Sequence, residues 1–255
     1  MNALHDSATM LRRNLRHALR YPALTIATIA TPILMLLLFV GVFGNALGTG
    51  VGGPSKGDYI GYVAPGIILM AVASGCMVTS VSVCVDMTEG IVSRFRTMPI
   101  ARSSLLTGHV AGSMIQTLLS TFAVILVAVA MGFRTNGTVL DWLGAIGLLT
   151  MLTFALTWLA VVMGLVAKNP EGASNSPLLV QFLPFLGSAI VPPESMPAGV
   201  RWFAEYQPFT PVIETLRGLL MGTPVGRDAW ISVAWCAGIA IVSYVLAKRL
   251  FNRAR

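Results

Sequence analysis

Charge is what this chain has least of. Only 11% of its 255 residues are Asp, Glu, Lys or Arg, where a soluble domain carries about a quarter. A water-soluble body would have to hide 55% hydrophobic residues and would lack the polar residues to cover them. Cysteine is scarce too. Cys76, Cys84 and Cys236 all fall in apolar runs, with neither CxxC spacing nor neighbouring histidines, so they read as small buried side chains and not as a zinc site or disulfide framework. No HExxH, GxSxG or GxxxxGK[ST] pattern occurs anywhere. Gly48, Gly50 and Gly53 spell GxGxxG, but they follow an apolar run and have no βαβ context. His5, His17 and His109 are far apart in sequence, which argues against a catalytic cluster.

Long apolar runs fill the chain instead. Six of them, at about 23–43, 60–85, 105–131, 142–166, 174–191 and 229–250, approach or exceed the roughly 20 residues that cross a hydrocarbon core about 30 Å thick. The expected fold is therefore an all-α integral membrane protein with six transmembrane helices, a single domain over residues 1–255. The formal charge of +7 could suggest nucleic acid, but its placement points to a membrane. Of the 17 Lys and Arg residues, twelve fall on the side of the two termini and the loops near 94 and 168, and five on the other. That asymmetry puts both termini in the cytoplasm of a multi-pass cell-membrane protein, with no nucleic-acid partner expected.

Several local features refine this plan. Arg12, Arg16 and Arg20 share one face of an amphipathic segment opposite Leu11, Leu15 and Leu19, as in an interfacial helix among membrane lipids. Pro32 within the first run frees a backbone carbonyl that a neighbouring helix must satisfy. Gly108 and Gly112, continued by Gln116 and Ser120, form a packing face. Asn136-Gly137-Thr138 matches a glycosylation sequon but reads as a plain turn. Lys168 to Gly172 is a tight turn, and Pro177 and Pro184 break the fifth run.

Between the fifth and sixth runs, residues 192–227 suggest two short re-entrant helices dipping into the outer leaflet. The stretch is punctuated by Pro192, Pro197, Pro208 and Pro211. Ser195 can cap a helix that must end near Gln207, ahead of Pro208. Thr210 and Pro211 read as N-cap and first residue of the next helix, and Gly222 as its stop. Glu214 and Arg217 are spaced to pair on that helix's surface, while Trp202, Phe203, Tyr206, Phe209 and Trp230 suit a membrane–water boundary.

No charged residue falls at mid-depth in the six runs, where proton- or sodium-coupled transporters usually place an acid or histidine. An external energy source is the more economical idea. The polar segment 86–104 between the second and third runs is where such a source would act. In it Asp86, Gly90, Arg94-Phe95-Arg96, Met98-Pro99-Ile100-Ala101-Arg102, Leu106 and Gly108 resemble the pattern of ABC-2 type ATP-binding-cassette exporter permeases, in the daunorubicin/doxorubicin-resistance-like group. Arg20-Tyr21-Pro22, Phe43-Gly44 and Pro65-Gly66 agree, as do Ser195-Met196-Pro197, Gln207-Pro208, Thr210-Pro211, Glu214 and Arg217-Gly218. The chain departs from the group at His109, where a basic residue is more usual.

The resemblance implies a permease subunit that dimerises, with itself or with a similar second permease, each copy bound to a separate cytoplasmic ATPase that holds ATP and Mg. No cofactor is expected on this chain. The family's coupling helix corresponds to about Ile91 to Thr97, where Ile91 and Phe95 would be apolar knobs and Arg94 and Arg96 would meet carboxylates. Glu89 complements the helix dipole and Pro99 ends the helix. The expected function is ATP-driven export of an amphipathic drug-like compound or lipid. A secondary carrier acting without an ATPase is the alternative, and a membrane-embedded enzyme fits least.

Overall fold

The computed structural model describes residues 22–44, 56–88 and 102–253, and every regular element among them is helical. Eight α-helices follow one another: α1 (Pro22–Leu36), α2 (Lys56–Thr88), α3 (Arg102–Ala130), α4 (Val139–Val166), α5 (Pro170–Phe182), α6 (Ala198–Tyr206), α7 (Phe209–Met221) and α8 (Asp228–Arg253). Four of them, α2, α3, α4 and α8, are long and apolar enough to cross a membrane. The N-terminal segment with Arg12, Arg16 and Arg20, the glycine-rich stretch 45–55 and the segment 89–101 lie outside the described residues.

The centre of the bundle is α2. It is apolar around its whole circumference, and every residue from Ile67 to Ala73 is buried, as expected of a helix surrounded by other helices. Its most apolar stretch is 72% buried against 17% for α8, so α2 is the core and α8 the periphery. Helices α3, α4 and α5 pack on α2, and α8 packs on α4. Lipid is as apolar as leucine, so these contacts stabilise by close packing and not by escape from water. Small residues make the packing close. A methyl group on Gly66 would fall 2.5 Å from Ala189 Cβ, and one on Gly164 would fall 2.5 Å from the Ser80 carbonyl oxygen. Alanine at either position would force two backbones apart.

Proline shapes the first and fifth apolar runs. Pro32 has no N–H to give to the carbonyl of Thr28, and Ser74 Oγ of α2, which donates to the Ala71 carbonyl at 2.8 Å, lies 3.4 Å from it. The run then continues as a π-helical turn, Leu37–Val42. Helix α5 begins with Asn169 as its cap, the side chain accepting from Gly172 N at 2.8 Å, and with Pro170 in its first turn. It extends only about 20 Å at 1.5 Å per residue. Pro184 then lies in a 3₁₀ turn, Leu183–Leu186, and irregular chain follows.

The stretch after α5 differs in detail from the sequence expectation. Ser195 caps no helix. Its hydroxyl donates to the Pro192 carbonyl at 2.7 Å within the 3₁₀ turn Pro193–Ser195, and Pro197 stands at the N-cap of α6. Helix α7 starts at Phe209, two residues before Pro211, with Pro208 at its N-cap. Thr210 is not the cap because its hydroxyl donates to the Ala204 carbonyl at 2.5 Å, satisfying one of the last carbonyls of α6. Phe209 leaves the expected boundary cluster, being 3% exposed and part of the core, while Trp202, Tyr206 and Trp230 stay exposed. Gly222 ends α7 in the left-handed conformation, φ +69°. The irregular chain at Asn136 and Gly137, expected as a turn, docks there, both amides donating to the Leu220 carbonyl. Thr138 and Asp141 then form a reciprocal capping box that starts α4.

Candidate functional site

Two polar assemblies sit toward opposite ends of α2, near Tyr62 and at Asp86. At 1.5 Å per residue they are about 36 Å apart, comparable to the thickness of a bilayer's hydrocarbon core. Each assembly is built mostly from residues that apolar periodicity cannot reveal.

At the first end, α2 carries Asp86 two residues before it stops at Thr88, and α3 carries His109 about two turns after it starts at Arg102. The Asp86 carboxylate and His109 Nε2 meet at 2.7 Å, and both residues are buried. A separate apolar cluster surrounds this end, with Val83 from α2, Val110 from α3, Trp158 and Val161 from α4, and Ala247 and Phe251 from α8. Trp158 stacks edge-on against Tyr244 of α8, ring centres 4.9 Å apart. The pair thus ties together the two helix ends that flank segment 89–101, and the cluster holds both against α4 and α8. Among the described residues no group of His, Cys, Asp or Glu could hold a metal ion.

At the other end, Arg217 of α7 turns inward. Its Nη1 donates to Glu214 Oε1 at 2.5 Å, its Nη2 to the Ser188 carbonyl at 2.7 Å, and Nε and Nη2 both to the Tyr62 carbonyl at 3.3 and 3.1 Å. The guanidinium also stacks over the Tyr62 ring, 3.8 Å from its centre. The expected pairing with Glu214 is present, but its expected place on the helix surface is corrected: the Arg217 side chain is 14% exposed. The cation goes inward because backbone acceptors wait there. Tyr62 lies in the turn of α2 that Pro65 interrupts, and Ser188 lies in the irregular chain beyond α5. Five fixed N–H donors suit a guanidinium to that role, since it can bridge three chain segments at once.

The remaining sequence-expected residues divide cleanly. Glu89, Ile91, Arg94, Phe95, Arg96 and Pro99 lie outside the described residues, like Arg12, Arg16 and Arg20. Pro192 and Pro197 flank the 3₁₀ turn, Pro208 caps α7, and Thr210 and Pro211 are buried in its first turn. The wide sequence separation of the three histidines pointed to no partner for His109. A usable signal existed, an acid and a basic-type residue on either side of one polar loop, but no periodicity connects positions 86 and 109. Cys76, Cys84 and Cys236 are buried thiols, as expected. Cys76 and Cys84 lie within reach of the Leu156 and Ala167 carbonyls.

Comparison with known proteins gives a consistent picture. Residues 6–221 match the family model of the ABC-2 type transporter. A daunorubicin resistance ABC transporter permease protein of Streptomyces coeruleorubidus is 27% identical over 251 residues, covering 98% of this chain and 87% of that protein. A probable doxorubicin resistance ABC transporter permease protein of Mycobacterium tuberculosis is 26% identical over 229 residues, 90% of this chain and 82% of that one. A putative transport permease of Porphyra purpurea is 26% identical, covering 91% and 80% respectively.

Proposed function

The chain belongs to the ABC-2 type transporter family, and on that premise we propose that it is the membrane permease of an ATP-driven exporter for amphipathic, drug-like compounds. The similarity to drug-resistance permeases over nearly the whole chain carries this reading. The protein is a transport subunit and not an enzyme. ATP and Mg act on a separate ATPase subunit, as in the family generally.

The finer assignments follow from that reading. One domain of six spans has both termini in the cytoplasm and works as a dimer, of two identical copies or of two similar permeases, in contact with membrane lipids. The ATPase docks on loop 86–104, with Ile91 and Phe95 as apolar knobs, Arg94 and Arg96 for carboxylates, and Glu89 and Pro99 bounding the coupling helix. Closure of the ATPase pushes on this loop. The buried Asp86–His109 pair supports a loop whose two bases move together. Helix α2 transmits the push along its length to the Tyr62–Arg217 assembly, beside which the re-entrant helices α6 and α7 border the outer release path.

The test is reconstitution. Purified alone, the chain should hydrolyse no ATP, and co-expressed with its ATPase it should form a stable complex that moves daunorubicin into inverted vesicles only when ATP is supplied. Uptake by the isolated chain under an ion gradient alone would establish the secondary carrier instead.

A further inference from the structure

A small cavity lies where α1, α2 and α3 meet, with a volume of about 10 Å³, enough for about one water. Its lining includes Thr28 of α1, Ser74 of α2, and Ser113, Gln116, Thr117 and Ser120 of α3, with no charged side chain among the described residues that line it. The α3 residues recur at helical spacing, so one hydroxyl- and amide-bearing stripe faces the cavity. Two further observations set this apart from an ordinary small-residue packing seam. Ser120 Oγ is buried, 4% exposed as a residue, and hydrogen-bonds to nothing among the described residues. The cavity also lies at the proline defect of α1, with Ser74 Oγ, which donates to the Ala71 carbonyl at 2.8 Å, 3.4 Å from the Thr28 carbonyl. Gly75 lets α3 approach closely beside it, since a methyl group there would fall 2.2 Å from Thr117 Oγ1.

Leaving a hydroxyl unsatisfied away from water is costly, and more so in hydrocarbon. A cavity with this many hydroxyls in a membrane protein therefore selects for a hydrogen-bonding occupant. Its lining is neutral, so it suits neutral donors and acceptors and not an ion. We infer that the α1–α2–α3 cavity is a hydrated polar subsite whose water is replaced by a hydroxyl or carbonyl group of the amphipathic cargo. The cargo half of this inference rests on the export reading above, whereas the hydration half does not.

Ser120→Cys tests both halves in membranes containing the chain and its ATPase. The thiolate should be oxidised to the sulfenate by hydrogen peroxide, a reagent close to water in size whose cleaved O–O bond leaves water, at least about tenfold faster than at Leu119→Cys on the exposed apolar side of α3. The unsubstituted chain, whose three cysteines are buried, supplies the background. Daunorubicin, an amphipath bearing hydroxyl and carbonyl groups, should slow modification of Ser120→Cys several-fold and leave Leu119→Cys unchanged. Modification no faster than at Leu119→Cys overturns the inference. Fast modification that daunorubicin does not slow overturns its cargo half and leaves a water site alone. Absence of ATP-driven daunorubicin transport, measured separately, would instead count against the export reading.

Discussion

The two ends of α2 hold their polar groups in opposite ways. At Tyr62, one cation is shared among three chain segments, and most of its acceptors are backbone carbonyls that cannot leave without unfolding local structure. At Asp86, two side chains from two helices meet at 2.7 Å, next to a polar loop. A hub with several fixed acceptors resists motion, because every donor must find a new partner at once. A contact between two side chains joins its helices while each side chain can still turn about its own torsions. The difference suggests a division of labour, with the Arg217 end as anchor and the Asp86 end as input.

The sharpest way to break that comparison is to remove the hub. Arg217→Ala leaves the Tyr62 and Ser188 carbonyls and the Glu214 carboxylate without their cation, and should cost about 3 kcal/mol. The midpoint of an SDS titration of the purified permease reads this directly. Arg217→Lys keeps the charge but not the planar fork, and should recover only part of the loss. A cost under about 0.5 kcal/mol for the alanine variant, the size of a plain surface change, would remove the anchor from the argument.

The input end is tested by separating coupling from stability. Phe95→Ala with Arg96→Ala should leave membrane insertion and the SDS midpoint unchanged while daunorubicin moved per ATP hydrolysed falls about tenfold, equivalent to about 1.4 kcal/mol of coupling. Unchanged transport together with an unchanged ATPase complex would show that the docking surface lies elsewhere on loop 86–104.

Much of this architecture was legible from composition. Apolar runs located the four long helices, and Pro32 announced a freed carbonyl facing a neighbouring helix, where Ser74 Oγ approaches it to 3.4 Å. What sequence could not reveal is direction and pairing across distance. Glu214 and Arg217 were correctly spaced to pair, but helical spacing does not say that the Arg217 head turns toward Tyr62, a residue 155 positions away in the chain. Phe209 resembles its aromatic neighbours in sequence and is buried only because α7 starts two residues early. Thr210 missed its capping role for a similar reason: a carbonyl of α6 was nearer than the amides it was expected to satisfy.

The Asp86–His109 pair gives the finest test, because its effect is small and its logic depends on mutual contact. Asp86→Asn and His109→Gln each keep side-chain size while weakening the 2.7 Å interaction. If the pair joins the two bases of the loop, the double variant should be less impaired than the two single effects summed, by about 1 kcal/mol in stability. The ratio of transport to ATP hydrolysis should follow the same pattern, falling in each single variant and little further in the double. Additive losses in both measurements would mean that Asp86 and His109 serve their own helices separately. Coupled stability with an unchanged transport ratio would leave the pair as a static tie, and the two ends of α2 would then differ in construction but not in role.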